Sequence, residues 1–196
     1  MITVTRQFGS LGRPIARKVA EKLDIPFYDR DIVDQTASQL GLPISYISQN
    51  EETAGGRYFK MKFPLGVASR AEQDQIYEVQ SELIRAIASR GSCLIVGRCA
   101  DYVLRNFTNT FNICIFAPFE DRVKNCVDTL GMDPQTALNM VLEVDQAREK
   151  YHQRYGNYGK DGLLYKHLLV NSSYFGISQT ADMIAGLVEH RYHNFS

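Results

Sequence analysis

Apolar positions along this chain fall into short runs separated by rows at helical spacing. Ile2 to Thr5 predicts a short strand that leads directly into the turn Gly9-Ser10-Leu11-Gly12. From Arg13 onward Ile15, Ala16, Val19, Ala20 and Leu23 recur with the period of a helix that has one apolar face. Pro14 suits the first turn of that helix, where a missing N–H costs nothing. Pro26 to Asp29 predicts a second strand and Ile32 to Leu40 a second helix, so the chain opens β-turn-α-β-α. Residues 41–75 break the pattern. Gly41, Pro43, Gly55, Gly56, Pro64 and Gly66 punctuate them without a sustained period, the mark of an inserted segment. Ile76, Val79, Leu83, Ile84 and Ile87 resume a helix. Cys93 to Gly97 and Asn112 to Phe116 are compact apolar strands. Asp133-Pro134 opens a long helix towards Tyr151, Leu168 to Asn171 is a last strand, and a helix runs through Thr180 to His190. Five strands alternating with helices predict a one-sheet α/β fold.

Composition narrows the partners. A chain of 196 residues suits one domain with an insertion. Lys+Arg and Asp+Glu both number 22, giving a net charge of zero, which argues against duplex nucleic acid or an anionic membrane as partner. It leaves room for a local basic pocket that takes one phosphorylated small molecule. Cys93, Cys99, Cys114 and Cys126 form no CxxC pair, and the four histidines have no metal-ligand spacing. With no signal-like N-terminus and no long apolar run, a cytoplasmic setting is expected.

The candidate chemistry lies in the first turn. A strand-to-helix turn gathers backbone N–H groups and the positive end of the helix dipole, and so attracts phosphate. Gly9 and Gly12 permit close backbone approach, and Ser10 offers a hydroxyl. The full phosphate-loop pattern adds a lysine on the β/γ-phosphates and a hydroxyl on magnesium. Here, if Gly12 is the second glycine, Arg13 takes the lysine place and Pro14 the hydroxyl place. Arginine binds phosphate bidentately and is a geometrically different substitute. The other reading of the same residues is a plain βα turn.

Ile2-Thr3-Val4-Thr5-Arg6-Gln7-Phe8-Gly9-Ser10-Leu11-Gly12-Arg13, followed by Pro26-Phe27-Tyr28-Asp29-Arg30, resembles the cytidylate kinase-like family. The likeness continues through Val96-Gly97-Arg98, Asp145-Gln146-Ala147-Arg148 with Tyr151, and Leu169-Val170-Asn171-Ser172. The family's turn carries glycine where this chain has Leu11. Laid against cytidylate kinases without gaps, Gly12 rather than Arg13 falls at the lysine position.

The resemblance implies a three-layer P-loop NTPase-type fold, a five-stranded, mostly parallel sheet with helices on both faces. Segment 41–75 would be its acceptor-binding insert and 148–165 its lid-like region. It implies a kinase that moves a phosphoryl group from ATP to CMP, with magnesium carried by the nucleotide. Gly9, Ser10, Leu11, Gly12 and Arg13 would hold ATP, and Arg13, Arg148 and Arg154 would stabilise the transferring group. Asp29, Arg98 and Asp145 would face the acceptor. Simpler roles stand beside these: Asp29 as a helix cap, Arg98 in an ion pair with Asp101 or another acid, and Arg148 on a solvated helix face. Tyr151, Tyr155, Tyr158 and Tyr165 read either as a hinged aromatic flap or as a loop packing its own rings. The chain as a whole reads as a kinase for CMP or another small acceptor, or as a nucleotide-binding module without turnover.

Overall fold

A computed structural model describes residues 1–41, 70–156 and 162–193, without the side chains of Arg30, Val33, Arg70 and His193. The middle of segment 41–75 and Tyr158 lie outside the described residues. The elements are β1 (Ile2–Arg6), α1 (Gly12–Lys22), β2 (Phe27–Tyr28), α2 (Arg30–Leu40), α3 (Arg70–Ala88), β3 (Leu94–Val96), α4 (Ala100–Val103), β4 (Phe111–Phe116), α5 (Phe119–Asp128), α6 (Pro134–Tyr155), a 3₁₀ turn (Gly162–Tyr165), β5 (Leu168–Asn171) and α7 (Ser172–His193). The strands form one parallel sheet in the order β2-β3-β1-β4-β5. The three-layer α/β architecture expected from the sequence is therefore present, with every strand pair parallel.

Side chains alternate across the sheet and sort the two faces. Ile2 and Val4 join Leu94, Val96, Ile113 and Ile115 on the face covered by α1 and α7, where Ile15, Val19, Ala181 and Ile184 close the core. Cys93 and Ile95 face the opposite side, packed by Ile32, Ile84, Ile87, Val103 and Leu104 from α2, α3, α4 and the residue after it. This second face also carries polar groups. The Thr3 hydroxyl donates to Asn112 Oδ1 at 2.8 Å, and Lys166 Nζ donates to Thr5 Oγ1 at 2.9 Å.

A third apolar cluster joins α5 and α6 around the loop residue Phe8, with Cys126, Ala137, Val141 and Val144. The sequence reading had no helix at α5. Its apolar stripe is narrow, set among Glu120, Asp121, Arg122 and Lys124, and its burial depends on Phe8. Asp133 caps α6, accepting from Thr136 N at 3.0 Å. Among the described residues no helix is long and apolar enough to cross a membrane.

Candidate phosphate-loop site

Strand β1 lies between β3 and β4, so neighbouring connections leave it in opposite directions. The crevice at its C-terminal end is where ligands sit in open parallel sheets, and the β1–α1 turn occupies that position. Gly9 takes φ 73° and Leu11 φ 56°, both left-handed. The Leu11 conformation costs on the order of 1–2 kcal/mol for a residue with a Cβ. Its side chain is directed to the α1/α7 core, against which it packs. Ser10 is fully buried, and its hydroxyl donates to Gln7 O at 2.9 Å. The Ser172 hydroxyl in turn donates to Ser10 O at 2.6 Å, tying the turn to the end of β5. Gly12 and Arg13 begin α1, so their N–H groups have no intrahelical acceptor.

Helices α5 and α6 clamp the other side of the turn. Phe8 N–H donates to Asp145 Oδ1 at 2.7 Å, and buried Arg122 pairs with Asp145 Oδ2 and donates to Phe8 O at 3.3 Å. Asn125 Nδ2 donates to Gly9 O at 2.9 Å. A Cβ on Gly9 would stand 2.5 Å from Arg122 O, so glycine is required there by contact as well as by φ. Asp145 thus holds the loop and Arg122 together.

The arginines divide into two groups. Arg13 Nε pairs with Asp29 Oδ2 at 2.5 Å, and this carboxylate is almost fully buried. Asp29 does sit at the N-cap position of α2, but it makes no side-chain cap bond. Arg98 follows β3 with φ 57° and lies in the electrostatic field of Arg6, Tyr151, Asp29 and Arg148. Burial first, then Arg6 and Arg148, lower its pKa to about 10, partly opposed by Tyr151 and Asp29. Asp101 takes Lys166 as its buried partner. Arg148 Nη1 donates to Arg6 O at 3.2 Å, which places α6 over the end of β1 rather than leaving this face to solvent.

Arg154 points elsewhere. It pairs with Asp74 on α3 at 2.7 Å, and the Tyr155 hydroxyl donates to the same carboxylate at 2.9 Å. The ring of Tyr155 stacks on Tyr77, with centroids 4.2 Å apart, and Tyr151 leans on Tyr155 at 4.8 Å. These tyrosines pack as an ordered cluster between α3 and α6, whereas Tyr165 is exposed.

Sequence reasoning missed Arg6, Arg122, Asn125, Lys166 and Ser172. Arg6 carried a local signal, as the basic residue that ends the strand just before the glycine turn, and Ser172 stood in the family-like stretch Leu169-Val170-Asn171-Ser172. His152, also on α6, is pushed down to about 4, mainly by burial and further by Lys166, Arg6 and Arg148 against the opposing pull of Asp101. Its imidazole is neutral at pH 7.

A strand order of 2-3-1-4-5 with a glycine turn between β1 and α1 and arginines gathered above it defines the P-loop kinase class of α/β proteins. The chain belongs to the cytidylate kinase-like family, whose model matches residues 1–174. No curated protein matches it. A solved structure of an uncharacterized protein from Eubacterium ventriosum is similar with a TM-score of 0.72 and 25% identity, over 96% of this chain and 97% of that one. Shikimate kinase from Bacteroides thetaiotaomicron aligns with a TM-score of 0.58 and 10% identity, over 96% of this chain and 97% of that one. Shikimate kinase from Acinetobacter baumannii, solved in complex with shikimate, aligns with a TM-score of 0.51 and 12% identity, over 99% and 93%. The two kinases share the fold.

Proposed function

We propose that the chain is an ATP-dependent phosphotransferase whose β1–α1 turn binds the nucleotide phosphates and whose acceptor is a small molecule, CMP being the one the family suggests. The observation that carries this reading is the convergence of Arg98 and Arg148 on the end of β1, beside the turn. Phosphoryl transfer needs positioning and charge stabilisation more than covalent chemistry. Arginines fixed by a strand end and a helix supply both. The turn fits a polyphosphate through the first-turn N–H groups of α1.

Asp29 and Asp145 are each engaged with an arginine, and among the described residues no cluster of His, Cys, Asp and Glu suits a metal. Magnesium would arrive on the nucleotide, held by its phosphates. Arg13 is held by Asp29, whose field also reaches Arg98, so this pair sets the edge on which the acceptor would lie. Arg154, paired with Asp74 across the α3–α6 seam, would act only if lid movement released it.

A second reading, a nucleotide-binding module without turnover, is favoured by Asp145. This carboxylate takes up the Phe8 N–H, leaving one fewer donor for phosphate. One experiment separates the two. Calorimetry with MgATP is paired with a phosphoryl-transfer assay over nucleoside monophosphates and shikimate, with Arg98→Ala and Arg13→Ala as controls. Transfer lost in Arg98→Ala supports the kinase; binding without transfer supports the module. Absence of MgATP binding defeats both.

A further inference from the structure

The family resemblance puts Gly12 at the place of the kinase lysine, and the contacts around Gly12 leave little room for a side chain there. A Cβ on Gly12 would lie 2.7 Å from Arg6 Cβ and 3.2 Å from Arg6 Cγ. A Cβ on Gly97, at the end of β3, would collide with Arg6 Nη1. The Arg6 side chain therefore starts over the first residue of α1 and crosses to the β3 end, filling the space above both glycines. Its Nε is buried with no hydrogen-bond partner among the described residues. Its guanidinium enters the same electrostatic field as Arg98 and Arg148, in which Asp29 is the carboxylate, and a further anion beside the turn would lower the mutual repulsion of the three arginines.

We infer that Arg6 takes the place of the missing lysine, reaching the nucleotide polyphosphate from the end of β1 instead of from the start of α1. This rests on the P-loop kinase reading and names the residue that completes its charge. A guanidinium offers a planar fork of donors where an ammonium offers one point charge. Gly12 and Gly97 are then parts of the same device, since each leaves the volume that the Arg6 stem or head occupies. The arrangement also accounts for Arg148 donating to Arg6 O: the helix that supplies one arginine holds the backbone that presents the other.

The test is calorimetry with inorganic tripolyphosphate and, separately, MgATP, on wild-type protein, Arg6→Met, Arg6→Ala and the double variant Arg6→Ala/Gly12→Lys. Methionine keeps an unbranched stem over Gly12 and removes the charge. Arg6→Met should bind tripolyphosphate about ten- to a hundredfold more weakly, the loss expected for one charge-assisted contact. In the double variant a lysine stem enters the space that Arg6 vacated, and binding should recover well above that of Arg6→Ala. Circular dichroism and thermal melting establish that each variant is folded; should Arg6→Met fail to fold, the double variant carries the test.

Unchanged binding in folded Arg6→Met, or a folded double variant that binds no better than Arg6→Ala, overturns the inference. So does a wild type that ignores tripolyphosphate. Tripolyphosphate binding that depends on Arg6 without any MgATP binding would defeat the kinase reading and leave Arg6 as an anion-binding residue of the turn, not as a nucleotide ligand. MgATP bound equally by wild type and Arg6→Met would leave the kinase reading standing and defeat this assignment.

Discussion

Replacing Asp145 with alanine removes a carboxylate that serves three groups, Phe8 N–H, Arg122 and, at 4.0 Å, Arg148. Phe8 N–H loses its acceptor at 2.7 Å, and the Arg122 guanidinium, with a side chain only 9% exposed, is left without its carboxylate. Removing one member of a buried pair costs about 3–5 kcal/mol, and the 25% exposure of the Asp145 side chain places this case near 3 kcal/mol. For a protein of this size that corresponds to a fall of about 6–12 °C in melting temperature. Arg122→Ala should cost a similar amount, because Asp145 and Phe8 O both lose the same donor. The double variant Arg122→Met/Asp145→Leu removes both charges and leaves mainly the Phe8 N–H unsatisfied, a loss of about 1–2 kcal/mol. The double should thus be more stable than either alanine variant, with a coupling energy above about 1 kcal/mol. Urea unfolding of wild type, Arg122→Met, Asp145→Leu and the double completes the cycle, with the two alanine variants measured beside it. Losses below about 1 kcal/mol in Asp145→Ala, or strictly additive losses, would refute the view that α5 and α6 set the shape of the turn.

Other outcomes follow from the same contacts. Gly9→Ala places a Cβ 2.5 Å from Arg122 O at a left-handed φ, and should cost about 2–4 kcal/mol in unfolding measurements while weakening tripolyphosphate binding. Lys166→Met removes the ammonium paired with buried Asp101 and should destabilise by about 3 kcal/mol, whereas Lys166→Met/Asp101→Leu should recover most of that in thermal melts. His152 has its folded pKa depressed to about 4 from an ordinary 6.5, so the unfolded chain takes up this proton first as pH falls. Its contribution is intact above pH 6.5 and is lost between pH 6.5 and 4, up to about 3 kcal/mol. His152→Gln should flatten the stability–pH curve in that window.

The sequence exposed most of the sheet because its strands are short apolar runs bounded by glycine, proline or polar residues, as in Cys93 to Gly97. Helices α1 and α6 were equally visible, the first from its apolar row and the second from its Asp133-Pro134 start. Helix α5 was not, because its burial is created by α6 and Phe8 rather than by its own pattern. The site residues were only partly legible for the same reason. Arg6, Arg98 and Arg148 all stood on recognisable motifs, but their meeting is set by sheet order and by two glycines far apart in sequence. Asp29 illustrates the limit of local reasoning: its position is that of a helix cap, yet its carboxylate is held by Arg13 from another element. Asp101 likewise takes a partner that its neighbourhood in sequence does not suggest, Lys166, a residue 65 positions away.

The central claim is that a turn without the usual lysine still holds a nucleotide for phosphoryl transfer. Single-turnover transfer from γ-labelled ATP, with magnesium and a panel of small acceptors including CMP, tests it most directly. Label should appear on an acceptor with wild-type protein and fall by at least about tenfold in Arg98→Ala. Label that remains on ATP with every acceptor, from a folded protein that also fails to bind MgATP in calorimetry, would contradict the account.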